Sequence, residues 1–128
     1  SFARLLTNMW VGVSVENQDA AEERIPDLVA TPASIRWLSV EPMLEPVYFE
    51  PYTNGISWLV CGGESGPGAR PMELAWARSV RDQCRAAHIP FFMKQLGSVI
   101  ARYRGAKDRA GADIYEFPDD LRVREYPA

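Results

Sequence analysis

Residues 56–95 read ISWLVC, GGESGPGARP, MELAWARSVRDQCRAA and HIPFFMKQ in turn: a short apolar run, a glycine-rich turn, a helical repeat and a second short apolar run. Ile56–Cys61 and Ile89–Met93 are about strand length and rich in β-branched or aromatic residues. Between them Leu74, Ala77, Val80, Cys84 and Ala87 recur at helical spacing, while Arg78, Arg81, Asp82 and Arg85 take the other side. This predicts a helix over about Met72 to Ala87. Pro71 suits its first turn and Glu73 its positive end. A strand, a crossover helix and a strand make a parallel pair, with a right-handed connection expected.

Working outward, Met9–Val15 and Ile35–Val40 are two more runs of the same kind. All four contain adjacent apolar pairs, which predicts strands buried on both faces in a parallel sheet covered by helices. After the first run, Asn17 or Asp19 caps a helix through Glu22-Glu23-Arg24; Pro26 then restarts a short turn over Asp27–Ala30 that Thr31-Pro32 ends. The second connection, Glu41–Pro51, carries three prolines and excludes a long helix. Asn54-Gly55 turns the chain into the third strand. The expected fold is α/β, a parallel four-stranded sheet with helical crossovers, ordered β-α-β-loop-β-α-β over residues 1–96. Gly97, Gly105 and Gly111 interrupt periodicity beyond it. Residues 97–128 are expected as an irregular C-terminal tail packed on the sheet by Tyr115, Phe117 and Tyr126, with a hairpin around Ala110-Gly111-Ala112.

The composition fits one globular domain: 128 residues, 47% apolar and 24% charged, with 14 Lys+Arg against 17 Asp+Glu for a net charge of −3. That balance excludes a disordered chain, and no apolar run approaches the ~20 residues of a membrane-spanning helix. Mild acidity makes nucleic acid an unexpected partner, as is a membrane. Cys61 and Cys84 are too few and too far apart for a disulfide framework or a zinc site, and read as small buried hydrophobes. Free thiols without a secretory segment point to the cytoplasm. The chain starts Ser1-Phe2-Ala3-Arg4 without Met, so residue 1 reads as a cut end of a longer protein.

Chemistry is expected where the strands end. The four runs lead into Glu16-Asn17, Glu41-Pro42, Gly62-Gly63-Glu64-Ser65 and Lys94-Gln95. Parallel strands place these ends on one edge of the sheet, the edge on which α/β folds build sites. Three carboxylates, one ammonium and two amides there suit a polar or zwitterionic ligand, or an acid/base pair; helix caps and loop solubilisers are the bland alternative. In the glycine-rich turn, Gly62, Gly63, Gly66 and Gly68 allow close backbone approach, the following helix start attracts an anion, and Arg70 adds a bidentate partner. It lacks the Gly-Lys-Ser/Thr of a P-loop and the spacing of a dinucleotide fingerprint. The candidate ligand-binding set is thus Glu16, Asn17, Glu41, Gly62, Gly63, Glu64, Ser65, Gly66, Gly68, Arg70, Lys94 and Gln95, with no catalytic residue assigned and no metal ligand. His88 reads as a helix C-terminal cap. The serines have no triad partner, the four tryptophans read as core or helix-face residues, and Arg122 and Arg124 as a solvated face.

Read in order, WVGVSVEN (10–17), RIP (24–26), ATP (30–32), SVEP (39–42), GGESGPGARP (62–71), RDQC (81–84), PFFMKQ (90–95) and EFPDDLRVRE (116–125) resemble the C-terminal half of the phage gp-thirty-seven/gp-sixty-eight family. That family is uncharacterised and resembles radical-SAM enzymes. The resemblance implies half of a TIM-type barrel, whose absent N-terminal half carries three cysteines for an iron–sulfur cluster beside S-adenosylmethionine. The strand-end residues would then line the mouth, Lys94 neutralising a carboxylate and Glu64 holding an ammonium group. This chain lacks the three-cysteine motif, so no cofactor is expected on it alone and activity is not expected without the other half. A half-barrel exposes two sheet edges and its inner face, so a homodimer or element swap is expected to cover them. The rival from another class is a non-catalytic module that binds a small anion or a protein partner at the same edge.

Overall fold

The computed structural model describes residues 8–128; the first seven residues of the expected 1–96 unit lie outside the described residues. Strands β1 (Trp10–Ser14), β2 (Ile35–Val40), β3 (Trp58–Gly62) and β4 (Phe91–Gln95) form one parallel sheet in the order β1-β2-β3-β4. Helix α1 (Gln18–Val29) follows β1 and helix α2 (Leu74–Ala86) follows β3. The β2–β3 connection contains no α-helix, only a 3-10 turn at Tyr52–Gly55.

Asn17 starts α1 by accepting the Ala20 N–H at 2.8 Å on its Oδ1. Pro26 does not restart the chain there, contrary to expectation; it lies inside the helix. A proline costs about 3 kcal/mol in a helix interior. Burial of Ala21, Ile25 and Leu28 against the sheet offsets it. Helix α2 ends in a Schellman motif: Ile89 N–H reaches the Cys84 carbonyl at 2.8 Å, His88 N–H reaches that of Arg85, and His88 takes φ 59°. His88 thus occupies the cap position read for it.

The core lies on one face of the sheet. Val15, Leu38, Val40, Leu59, Cys61, Phe91 and Met93 pack there with α1 and with Ala77, Val80 and Cys84 of α2. Met43, Val47 and Phe49 of the proline-rich connection fill the place a crossover helix would take. Strands in sequential order with crossovers of one hand put every connection on the same side. The expectation of strands buried on both faces is therefore corrected for β1, β2 and β4, and holds for central β3, whose Val60 is buried on the far face. On the opposite face β1 presents Trp10, 54% exposed, with exposed Gly12 and Ser14, and β2 presents half-buried Trp37 and Ser39.

That face is aromatic toward the strand starts. Trp58 sits at the centre of a cluster, with ring centroids 6.0 Å from Trp10, 5.7 Å from Trp37, 5.9 Å from Phe92 and 5.7 Å from Tyr126. A Cβ on Gly12 would lie 2.4 Å from the Trp37 ring, so the absence of a side chain there seats the indole. These three tryptophans belong to the open face, not to the core expected for them.

The segment after β4 is more ordered than the sequence suggests. Gly97 and Gly105 flank a short helix, α3 (Ser98–Arg104), instead of breaking an irregular tail. Ala110–Ala112 forms no hairpin; Gly111 turns at φ 68° and its carbonyl accepts the Leu96 N–H. Residues 123–125 then run antiparallel along β4, with Met93 N–H to Val123 O at 2.8 Å and Glu125 N–H to Phe91 O at 2.9 Å. Arg124 fastens this strip by donating to the carbonyls of Met93, Lys94 and Ala112 while its guanidinium lies over Phe92 and Phe117. It is a structural clamp and not the solvated residue expected. Phe117 and Leu121 join the core, whereas Tyr115 and Tyr126 stay largely exposed. One of the two expected open edges is therefore closed; among the described residues no strand pairs with the outer edge of β1.

Candidate functional site

The strand ends do converge, and each carboxylate there meets a cation of this chain. Glu41 lies just beyond β2 and Lys94 on β4, two strands apart, or about 10 Å at ordinary strand spacing. Lys94 Nζ nevertheless donates to Glu41 Oε1 at 2.9 Å. Gly62, between them on β3, makes room: a Cβ there would lie 3.4 Å from the Glu41 carboxylate and 3.2 Å from Gln95 Cγ. The pair is presented on the open face, with the Lys94 side chain about half exposed. Glu41, Gly62 and Lys94 are thus one unit, and buried Gln95 lies beside it, its Nε2 donating to Gly63 O at 2.8 Å.

Glu16 and Glu64 form a second, more peripheral group. Arg24, two turns into α1, donates to Glu16 Oε2 at 3.1 Å and to the Ser14 carbonyl at 2.7 Å. Glu64 is gripped by Arg70 through Nε–Oε1 at 3.0 Å, Nη2–Oε2 at 2.6 Å and the Arg70 backbone N–H at 2.8 Å. These bonds hold the Glu64 carboxyl down at about 2. Glu16 also feels Arg70, adding to the rise of the Arg70 guanidinium that Glu64 dominates. Arg70 is therefore occupied by the protein's own carboxylate and does not stand ready for an external anion. Glu64, ionised throughout the neutral range, suits charge pairing and not proton transfer.

The remaining residues divide by task. Asn17 is a helix cap and points to α1. Gly63 gives close approach to the chain itself, since a Cβ there would lie 2.4 Å from the Leu96 carbonyl oxygen. Gly66 and Gly68 take φ 96° and 72° with open space around them, so their role is the turn itself. That turn does not run straight into a helix: α2 begins at Leu74, and Glu73 before it makes no side-chain cap. Ser65 is exposed at the tip. Arg24 is the partner that sequence reasoning missed. The signal was its position seven residues after the cap Asn17, which places both on one helix face, turned toward the strand end.

Cys61 and Cys84 are free and buried. Burial pushes both thiols up, Cys84 to about 12, so neither offers a thiolate. Among the described residues no three His, Cys, Asp or Glu side chains gather to hold a metal ion. An iron–sulfur cluster needs about three or four thiolates, so the residues present do not fit one. No helix among the described residues is long and apolar enough to cross a membrane.

A family described as a protein of unknown function (DUF5131) matches residues 2–117. The chain belongs to this family. All twelve candidate residues fall inside the matched range, as do Arg24 and helix α3. The family's description names no reaction, and it names neither a phage kinship nor a radical-SAM link. No curated protein and no solved structure matches the chain.

Proposed function

We propose that this DUF5131 chain is the C-terminal half-barrel of a radical-SAM-like iron–sulfur protein of the gp-thirty-seven/gp-sixty-eight type. Its open face is then the inner wall of a barrel that a preceding N-terminal half completes. The observation that supports the reading is the singly wound sheet: among the described residues the connections lie on one face, no helix covers the other, and no strand pairs with the outer edge of β1. The polar end of that open face holds the Glu41–Lys94 pair, and a zwitterionic group laid across it exchanges one internal ion pair for two external ones. Lys94 receives the carboxylate; Glu41, freed from Lys94, receives the ammonium in place of Glu64, which Arg70 retains. Cluster ligands come from the other half, and no catalytic step is assigned to residues of this chain.

Anaerobic reconstitution with iron and sulfide tests this on the protein that carries this chain with its upstream sequence. The reading expects the visible absorbance of a cluster and reductive cleavage of S-adenosylmethionine. Glu41→Gln and Lys94→Met are expected to lower cleavage at least about tenfold, the cost of one lost charge contact. Absence of both cluster and cleavage overturns the proposal.

The second reading, a non-catalytic module that binds a small anion or a partner at this edge, is favoured by one observation. The three strand-end carboxylates are each ion-paired with a cation of this chain, an arrangement that suits charge pairing. Ligand binding with no cluster in the longer protein selects it.

A further inference from the structure

Behind the glycine-rich turn, a cleft of about 490 Å³ separates Ser65-Gly66-Pro67 from α3 and the segment that follows it. Its polar side chains are Ser65, Ser98, Arg102 and Arg109; Ala101, Ala106, Ala110 and Pro67 supply apolar wall. No carboxylate lines it. The other clefts that carry arginine each contain an acid as well, Glu125, Glu116 with Asp119, or Glu73. The acids near this one are turned away into backbone bonds. Asp108 accepts the Ala112 N–H at 2.6 Å, and Glu116 accepts the N–H groups of Lys107 and Asp108 at 2.7 and 3.1 Å. Arg102 and Arg109 have no ion-pair partner among the described residues.

Ser98 adds an independent sign. It is 9% exposed, and its Oγ accepts the Gly66 N–H at 2.9 Å. A hydroxyl that accepts still has one proton to give, and among the described residues nothing takes it. A buried donor without an acceptor, at the floor of a cleft flanked by two unpaired guanidiniums, is an arrangement that an anion completes. The apolar walls suit a ligand with a body beyond its charged group.

We propose that this cleft binds a phosphorylated small molecule, with Arg102 and Arg109 holding the phosphate, Ser98 donating to it, and the alanine and proline walls receiving the rest. The cleft is built by this chain alone, so the proposal does not depend on the half-barrel reading. It also relocates the anion expected at the glycine-rich turn, from Arg70, which Glu64 holds, to the other side of the same turn.

Titration of the chain with inorganic phosphate and with adenosine monophosphate, followed by amide NMR, tests it. Saturable shifts at Gly66, Ser98 and Arg102 are expected, with the nucleotide binding more tightly than phosphate alone. Arg102→Ala with Arg109→Ala is expected to weaken both at least about tenfold, since each charged hydrogen bond contributes more than one such factor. Arg85→Ala, an exposed arginine elsewhere, leaves binding unchanged. Shifts that never saturate, or that the double variant and Arg85→Ala affect equally, show general charge attraction only and overturn the proposal. Saturable binding of phosphate with no gain for the nucleotide removes the apolar part of the assignment and overturns it as stated.

Discussion

At the scale of single residues, the charges at the strand ends are set by pairing and not by burial. Glu64 is the clearest case, because Arg70 holds it through three hydrogen bonds and its carboxyl falls from an ordinary 4.5 to about 2. Its folded value lies below its unfolded one, so the unfolded chain binds the proton more tightly. The pair's stabilisation is therefore fully present above pH 4.5 and is lost as the pH falls through about 2. An NMR titration of the Glu64 carboxyl is expected to show its midpoint near the lower value, and Arg70→Ala to return it to the ordinary carboxylate range. A midpoint that Arg70→Ala leaves in place contradicts the account. Residue types and the edge they occupy were legible in the sequence, since polar residues followed each apolar run. Their pairing was not, because Glu16–Arg24 and Glu41–Lys94 join residues through register and helix phase that only the assembled sheet defines.

Among the elements, strands and α2 were legible because their apolar periodicity is set by burial. Helix α3 was missed for an identifiable reason, and the proline-rich connection, read as a loop without a long helix, showed nothing of what holds it. Helix α3 has only seven residues, too few to show a period, and its bounding glycines read as breakers and not as caps. The proline-rich connection gives no periodic signal because side-chain amides, not a backbone ladder, hold it. Gln83 accepts the Phe49 N–H at 2.9 Å and donates to Val47 O at 2.9 Å, while Gln18 does the same for both backbone groups of Tyr48 from the other side. Val47 and Phe49 are buried and Tyr48 is exposed, so the two glutamines are not equivalent. Gln83→Leu leaves a poorly solvated N–H and carbonyl unpaired and is expected to cost about 2–6 kcal/mol in denaturant unfolding, from about 1–3 for each of the two orphaned groups. Gln18→Leu, whose partners water can reach, is expected to cost less than about 1 kcal/mol. Equal losses in the two variants refute the clamp.

For the whole molecule, the decisive asymmetry is that the sheet is finished on one side and unfinished on the other. Residues 123–125 pair with β4, Arg124 locks them, and Tyr126 closes over Trp58 and Phe92. At the β1 side, Trp10 stands half exposed beside an edge with which no strand pairs among the described residues, Arg24 meeting only the Ser14 carbonyl at its far end. An unpaired edge strand that bears an apolar side chain, with its one charge at the far end, is prone to pair with another chain. In the half-barrel reading the N-terminal half takes that place; with this chain alone, a second copy is expected to take it, β1 against β1 or through the aromatic face. Light scattering over a concentration series is therefore expected to show a dimer. Trp10→Lys, which puts a charge on the edge without touching the core, is expected to weaken association at least about tenfold and to leave circular dichroism unchanged. A monomer at high concentration contradicts the prediction. A dimer indifferent to Trp10→Lys places the contact elsewhere and refutes the β1 edge as the unfinished side.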